Sequence, residues 1–336
     1  MEILMQRAIQ NIRDTISHAL EYVPTHAALI FYDTDTPLAD ILTNAYRVAL
    51  PQATFVHISH IDKERAIEMC DALEPRDLVI LVQSTDFRLN DFRIRIYLFQ
   101  KKLKVIEHRH LARHPEHTWN TYINALAYDP TWYRKTGHAL KHILEHSSKL
   151  MLHAPDTTLT ISSGLEIPKL NVGDYTNMEN IGGTFPIGEV FTEAKELHAM
   201  CGSLTLYAFA DTHYLLQTFE PFRVDIDKGL LIGWSSNTPQ AFIDVVDMVQ
   251  AQERPIFREI GFGLNRAITR ATPLHDITAF ERTLGIHLSL GEKHTVYKKE
   301  GIHADKTRFH VDVFPIITSV YADERLIFDG ETYTVS

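Results

Sequence analysis

The chain has 336 residues, a formal net charge of −10 at pH 7 and 45% hydrophobic residues. This composition is typical of a folded protein with one large or two smaller domains, and its acidic balance argues against binding to nucleic acid or an anionic membrane, which both need a basic surface. Two cysteines cannot build a disulfide framework, and the chain shows neither a signal-peptide pattern nor a long apolar run, so we predict a cytoplasmic protein without a membrane span.

Residues 1–150 alternate between helical and strand patterns. Short apolar strands separated by helices of 10–15 residues indicate βαβ units and a mostly parallel sheet. The predicted strands cover 27–32, 54–58, 77–82 and 104–107, and the predicted helices cover 1–22, 37–50, 62–73 and 90–101, with one or two more within 117–150. The first strand runs into Asp33-Thr34-Asp35-Thr36, where no glycine admits a pyrophosphate. We therefore predict a Rossmann-like α/β domain over 1–150 that lacks a nucleotide fingerprint.

Residues 151–336 contain many short β-type segments separated by turn residues. The predicted strands cover 158–162, 204–209, 212–218, 221–225, 230–234, 286–290, 310–313 and 316–321, and the predicted helices cover 239–252 and 276–284. This pattern predicts an α+β catalytic domain that follows the α/β domain.

Two histidine placements in the second half point to metal chemistry. In a strand, residues two apart share a face, so His310 and Asp312 point the same way and form half of a metal site. His287 lies among apolar residues of the predicted strand 286–290. A hydrogen-bonded surface pair and a packed core histidine are the alternative explanations for these two placements.

Two glutamates lie in apolar, glycine-rich sequence. Glu189 follows Pro-Ile-Gly, and Glu259 precedes Ile-Gly-Phe-Gly. A buried carboxylate is costly unless a cation or another partner neutralises it. Together with the two histidines and Asp312, these glutamates match what two divalent cations need when they share a bridging carboxylate.

These segments also resemble one family of metallopeptidases. Pro186-Ile-Gly-Glu-Val-Phe-Thr192 resembles the Pro-x-Gly-Glu-Val-Phe-Thr signature of the aminopeptidase T family. Residues 259–265 are similar to its Glu-Phe-Gly-Ile-Gly-x-Asn segment, and residues 285–291 to its His-Ile-Ala-Leu-Gly segment. The pair at 310 and 312 is similar to its His-x-Asp metal pair, and residues 328–331 to its C-terminal hairpin. The order is collinear over about 150 residues.

The resemblance implies a set of metal ligands and a reaction. The implied ligands are Glu189, Glu259, His287, His310 and Asp312. They would hold two divalent ions, with zinc, cobalt or manganese as the expected metals, and activate water against a peptide or small-molecule substrate in a homodimer. Glu281 is a sixth ligand or an acid/base in this interpretation, and Tyr297 is the nearest equivalent of a family tyrosine. Arg266 and the pair Glu193-Ala194 depart from the family pattern, and this bears on substrate choice.

Three other interpretations compete with a two-metal aminopeptidase. The 2,5-dihydroxypyridine dioxygenases resemble the same scaffold but hold one Fe(II) by two histidines and a carboxylate, with a histidine where this chain has Glu259. Five ligands suit two metals better than one iron. His142-Ile-Leu-Glu145-His146 matches the motif of inverted zincins. A binding module that kept the site and lost the activity is the third.

Overall fold

The computed structural model describes residues 2–87, 94–294, 296–303 and 306–335. The chain forms two compact units, each assembled from three segments. The first, here called the parallel unit, comprises Met1–Tyr133, Val172–Ile187 and Ala271–Ala279, and the second, the antiparallel unit, comprises Arg134–Asn171, Gly188–Arg270 and Phe280–Ser336. The domain ranges 1–150 and 151–336 stay a prediction.

The parallel unit is built on five parallel strands in the order β2-β1-β3-β4-β8. Its strands are β1 (Ala28–Tyr32), β2 (Thr54–His57), β3 (Leu78–Val82), β4 (Lys104–His108) and β8 (Ile181–Thr184). The helices of residues 1–150 are α1 (Glu2–Asp14, followed by a π-helical turn, Thr15–Ala19), α2 (Pro37–Ala49), α3 (Lys63–Asp71), α4 (Ile94–Gln100), α5 (Trp119–Ala125) and α6 (Pro130–His146). Most of α6, from Arg134 onward, belongs to the antiparallel unit. The predicted mostly parallel sheet is thus present, and residues 90–93 of the helix predicted over 90–101 lie outside the described residues.

The sequence did not predict β8, which adds a fifth strand from the second half of the chain. It pairs with β4 in parallel, with Lys104 opposite Ile181 and Glu107 opposite Thr184. Its centre is Gly182-Gly183, so it shows no apolar alternation. A Cβ on Gly182 would lie 1.9 Å from the carbonyl oxygen of Val105, and only glycine permits this close approach.

The antiparallel unit contains a twelve-stranded sheet. Ten strands follow the order β17-β16-β5-β6-β10-β15-β14-β13-β9-β7, while β11 pairs with β10 and β12 with β11. These strands are β5 (Leu150–Ala154), β6 (Thr157–Ile161), β7 (Lys169–Asn171), β9 (Glu189–Glu193), β10 (Met200–Ala210), β11 (Leu216–Asp227), β12 (Leu230–Trp234), β13 (Phe257–Gly263), β14 (Gly285–Leu290), β15 (Val311–Pro315), β16 (Ser319–Ala322) and β17 (Arg325–Phe328).

Three predicted elements of the second half of the chain, two strands and one helix, differ from the structure. The strands predicted over 212–218 and 221–225 form one long strand, β11, after a turn at 212–215. The helix predicted over 239–252 is present as α7 (Gln240–Gln250), but the one predicted over 276–284 is reduced to α8 (Ile277–Phe280). Among the described residues, no helix is long and apolar enough to cross a membrane.

A buried chain of hydrogen bonds crosses the end of β4 in the parallel unit. The Tyr46 hydroxyl lies 2.7 Å from His108 Nε2, and His108 Nδ1 lies 3.0 Å from the Tyr122 hydroxyl, which donates to the carbonyl oxygen of Phe185. Since Tyr122 donates its proton to that carbonyl, His108 Nδ1 is the donor to Tyr122 and Nε2 the acceptor from Tyr46. This arrangement requires a neutral ring, and burial lowers the pKa of His108 from 6.5 to about 3.

We predict that His108 makes the stability of the protein depend on pH. Because its pKa is lower in the folded state, the unfolded chain binds one more proton between about pH 3 and 6.5, so stability falls as the pH falls through this window. The expected slope is about 1.4 kcal/mol per pH unit. It is measured as the difference in unfolding free energy between the wild type and His108→Gln. The exposed His198, changed to Gln, is the control. Equal pH slopes for the wild type and His108→Gln would contradict the prediction.

Candidate metal centre

Four neighbouring strands of the antiparallel unit carry the predicted ligands. Glu189 begins β9, Glu259 lies in β13, His287 in β14 and Asp312 in β15. These strands are adjacent in the order β15-β14-β13-β9, and His310 directly precedes β15. Side chains on neighbouring strands come within contact distance when the register aligns them. The sheet therefore gathers five residues that are up to 123 positions apart in sequence.

The register leaves space for the His287 ring at the centre of this group. Gly263 pairs with Glu189, Gly261 with His287, and Ser289 with Asp312. A Cβ on Gly261 would lie 2.0 Å from Cε1 of the His287 ring. The imidazole thus occupies the volume that a side chain at position 261 would need, and His287 is completely buried.

The polar atoms of the five residues converge. His287 Nε2 lies 3.3 Å from Glu189 Oε1 and 3.6 Å from Glu259 Oε1. His310 Nε2 lies 3.9 Å from Glu259 Oε1 and 3.2 Å from Asp312 Oδ1. His310 is the most exposed of the five, with 28% of its side chain accessible.

The carboxylates give the centre a strong attraction for positive charge. Burial alone would lower the pKa of His287, but the carboxylates of Glu189 and Glu259 outweigh it and raise that pKa well above 6.5. Burial opposes the charged form of His310 as well, yet Asp312 and then Glu259 raise its pKa to about 10. Burial raises the pKa of Glu281, with Arg282 acting against it and the other carboxylates adding to it. The carboxylates thus stabilise positive charge on both imidazoles. A bound metal cation would compensate the same negative charge.

The donor atoms fit a metal ion. Glu189, Glu281 and His287 form one group whose ligand atoms all lie within 4.8 Å of one another, and Glu259, His287 and Asp312 form a second. Within the described part of the chain, four of these atoms are buried and have no hydrogen-bond partner: Glu189 Oε1, His287 Nδ1, His287 Nε2 and Asp312 Oδ1. Buried polar atoms of this kind are costly unless something binds them. Imidazole and carboxylate together suit divalent zinc, manganese or iron.

Two residues that the sequence did not single out contact the ligands. His294 Nε2 lies 2.8 Å from Glu259 Oε2. Arg282 Nη1 donates to Glu189 Oε2, and its Nη2 lies 2.8 Å from Glu281 Oε1. His294 follows β14 in an irregular segment. Arg282 lies within the helix predicted over 276–284, but the observed helix ends at Phe280. Neither the strand pattern nor the helix pattern therefore indicated where these two side chains point.

Of the two predicted catalytic residues, Glu281 adjoins the centre and Tyr297 points elsewhere. The Tyr297 hydroxyl donates to the carbonyl oxygen of Ile167 at 2.8 Å, with that of Phe191 at 3.4 Å. The ring packs against His294, with centroids 5.1 Å apart. The hydroxyl proton of Tyr297 is thus engaged by a backbone carbonyl and not directed at the predicted ligands.

The zincin-like motif lies on α6 and shows no equivalent grouping. The rings of His142 and His146 have centroids 4.6 Å apart, and His146 Nδ1 lies 2.7 Å from the carbonyl oxygen of His142. Among the described residues, the groups of metal-ligand type do not include this motif.

Two solved structures share this fold. The chain superposes on 2,5-dihydroxypyridine dioxygenase from Pseudomonas putida KT2440 with a TM-score of 0.64 and 14% identity, over 98% of this chain and 97% of that one. It superposes on wild-type AmpT from Thermus thermophilus with a TM-score of 0.62 and 13% identity, over 98% and 99%. No protein-family model and no curated protein matches the sequence. The chain shares the fold of these two structures, and a fold alone does not select a function.

We predict that Gly261→Ala disables the candidate metal centre. The new methyl group would overlap the completely buried His287 ring, at 2.0 Å from Cε1 and 2.2 Å from Nε2. The expected cost in stability is about 1–3 kcal/mol, with loss of metal binding in a titration of the chelator-treated protein. Gly233→Ala in β12 is the matched control, because its nearest neighbour is 4.0 Å away. Unchanged metal affinity in Gly261→Ala would contradict the packing described for His287.

Proposed function

We propose that this chain is a metal-dependent aminopeptidase that removes the N-terminal residue of a peptide. The observation that carries the proposal is the concentration of carboxylates around His287. The two donor groups contain four carboxylates, those of Glu189, Glu259, Glu281 and Asp312. One buried guanidinium, that of Arg282, pairs with two of them, Glu189 and Glu281. A facial triad for iron needs one carboxylate, and the additional acids favour hydrolysis.

The surplus negative charge also favours an exopeptidase. With neutral imidazoles, the carboxylates of Glu189, Glu259 and Asp312 and the guanidinium of Arg282 leave two negative charges in a largely buried centre. Glu281 adds a third when it is ionised. A divalent cation does not neutralise all three. The remaining charge favours a substrate with a free α-ammonium group, because a buried carboxylate needs a positive partner. An acylated N-terminus would not supply that charge.

A small cavity opens onto the centre. It has a volume of about 220 Å³ and is lined by Phe191, Glu259, Lys293, His294, Val296 and His310. Its size suits one amino-acid side chain rather than a long peptide, and Phe191 and Val296 supply apolar surface. Glu259 and His310 belong to both the cavity and the donor set. We propose that the first residue of the substrate enters here.

The residues then have distinct roles in hydrolysis. When bound, a divalent cation polarises a carbonyl group and makes water a stronger nucleophile near neutral pH. Glu189, Glu259, His287, His310 and Asp312 would hold it. Water adds to the first peptide carbonyl, the C–N bond breaks, and the leaving nitrogen takes a proton. Glu281 lies beside this centre and pairs with Arg282 through Oε1, so we propose it as the residue that carries the proton.

The second candidate is a dioxygenase. His287, His310 and Asp312 supply two imidazoles and one carboxylate, the set that holds non-haem Fe(II) in oxygenases, and the fold is equally similar to a dioxygenase. Metal analysis of protein purified without chelator separates the two. Zinc, cobalt or manganese together with cleavage of aminoacyl substrates supports the peptidase, whereas iron together with oxygen uptake on 2,5-dihydroxypyridine supports the oxygenase. The homodimer and the cytoplasmic location stay predictions.

We predict that Glu189→Gln and Asp312→Asn each lower aminopeptidase activity roughly 100-fold or more, because each removes a charged metal ligand. The assay uses a short peptide with a free N-terminus, and the same peptide with an acetylated N-terminus is the substrate control. Glu220→Gln is the protein control, since Glu220 is exposed on β11 of the same unit. Normal cleavage by either ligand variant would refute the assignment of the site.

A further inference from the structure

A cavity of about 880 Å³ lies at the edge of the parallel sheet where its strands begin. It is lined by Lys104 and Ile181, the first residues of β4 and β8, and by residues of the turns before β3 and β4. All of its lining residues belong to the parallel unit, and none is a member of the two donor groups. Its volume is within the range of small-molecule sites, which is about 300–1,000 Å³. This cavity is therefore a candidate ligand site that shares no residue with the metal centre.

Lys104 places a buried positive charge on the wall of this cavity. Only 3% of the residue is exposed. Among the described residues its ammonium group makes one hydrogen bond, to the carbonyl oxygen of Glu21 at 2.7 Å, although an ammonium group has three N–H donors. Burial and then the positive charge of Arg76 lower the pKa of Lys104, and the charge of Glu21 opposes them only in part. A buried ammonium with so little compensation is costly, so an anion in the cavity would stabilise it.

Arg76 and Lys102 add two further positive charges to the same wall. The backbone N–H of Arg76 donates to the carbonyl oxygen of Lys102 at 2.9 Å, which joins the two turns that carry them. Both residues have left-handed φ angles, 77° and 58°, a conformation that is costly for a residue with a Cβ and that is often found at binding sites. Against Arg76, Lys102 and Lys104, the lining contains the two carboxylates of Glu21 and Glu179. In a chain of net charge −10, this cavity therefore has a local excess of positive charge.

Apolar side chains form another part of the wall. Ile96 of α4 and Met178 are exposed to 45% and 38%, and Phe99 and Ile181 line the cavity with them. Apolar side chains gathered on a concave surface with a few polar groups are typical of ligand pockets. Ile181 is the register partner of Lys104, so an apolar and a positively charged residue begin neighbouring strands of the wall.

We propose that this cavity binds a small organic anion, with its carboxylate or phosphate group on Lys104 and its apolar portion against Ile96 and Met178. Arg76 and Lys102, which are both exposed, attract the same negative group from a greater distance. An inorganic anion alone would leave the apolar surface uncovered, and a neutral molecule would leave the buried ammonium unpaired. The site is an addition to the proposed aminopeptidase function and does not depend on it.

The first test compares four probes by calorimetric titration of the wild type. Octanoate and octyl phosphate have both the charge and the apolar chain, octanamide lacks the charge, and inorganic phosphate lacks the chain. We expect saturable binding of octanoate or octyl phosphate at one site, and binding of the two incomplete probes that is roughly tenfold weaker or more. The tighter of the two amphipathic anions identifies the head group as carboxylate or phosphate. No saturable binding of either anion, or equal binding of an incomplete probe, would overturn the proposal.

The second test locates the site with two variants. Lys104→Met keeps an unbranched side chain of similar length and removes the charge, and Ile96→Glu adds a negative charge at an exposed position. We expect each of them to weaken binding of the tighter anion roughly tenfold or more. The matched controls are Lys63→Met on α3 and Ile3→Glu on α1, both outside the cavity, and both should bind the anion as the wild type does.

Thermal unfolding of each variant without any probe shows whether its fold is intact. The anion should raise the unfolding temperature of the wild type and of both controls, because it binds the folded state, and should raise that of Lys104→Met and Ile96→Glu less. If Lys104→Met does not fold, the exposed position of Ile96 still decides the question. Wild-type anion affinity in Ile96→Glu, or in folded Lys104→Met, would overturn the proposal. None of these measurements uses peptide cleavage, so failure of this proposal and failure of the proposed function are distinguishable.

Discussion

The structure depends on concentrating negative charge inside a β-sheet. Three of the four acidic residues at the centre are buried, and His287 between them is completely buried. Isolated carboxylates in such a place would be strongly destabilising. The chain supplies one permanent cation, Arg282, and hydrogen bonds to the outer oxygens of two glutamates. These compensate only part of the charge, and the remainder makes the centre a cation site.

A second buried ion pair supports the segment that carries His294. Arg258, next to Glu259 on β13, binds Glu193 in a bidentate pair at 2.7 and 3.0 Å with both side chains almost inaccessible. Its guanidinium also donates to the carbonyl oxygens of Glu292 and Tyr297. The irregular segment that follows β14 is thereby fixed to the strand beneath it. These contacts at residues 292 and 297 flank His294, whose Nε2 lies 2.8 Å from Glu259 Oε2.

The sequence predicted the regular parts of the molecule better than the irregular ones. Apolar strands such as 78–82 have a pattern that only burial explains, and the structure places them in the parallel sheet. Glu189 and Glu259 stood out because charge is unexpected in apolar, glycine-rich sequence. His310 and Asp312 stood out because residues two apart in a strand share a face. β8 has no such signal, since its role depends on the absence of side chains at Gly182 and Gly183. His294 and Arg282 follow regular elements, so their direction depends on tertiary contacts that no local period encodes.

The fold is compatible with more than one chemistry, since the chain superposes almost equally well on a 2,5-dihydroxypyridine dioxygenase and on AmpT. The distinction lies in the few residues around His287. A histidine in place of Glu259 would leave fewer carboxylates and a centre closer to an iron site with two imidazoles and one carboxylate. With a glutamate there, the imidazole of His294 has a carboxylate to orient, and Arg282 performs the same function for Glu189 from the other side. The negative charge at position 259 and the hydrogen-bond donor that orients it therefore act together. The residues that surround the ligands select the chemistry as much as the ligands themselves do.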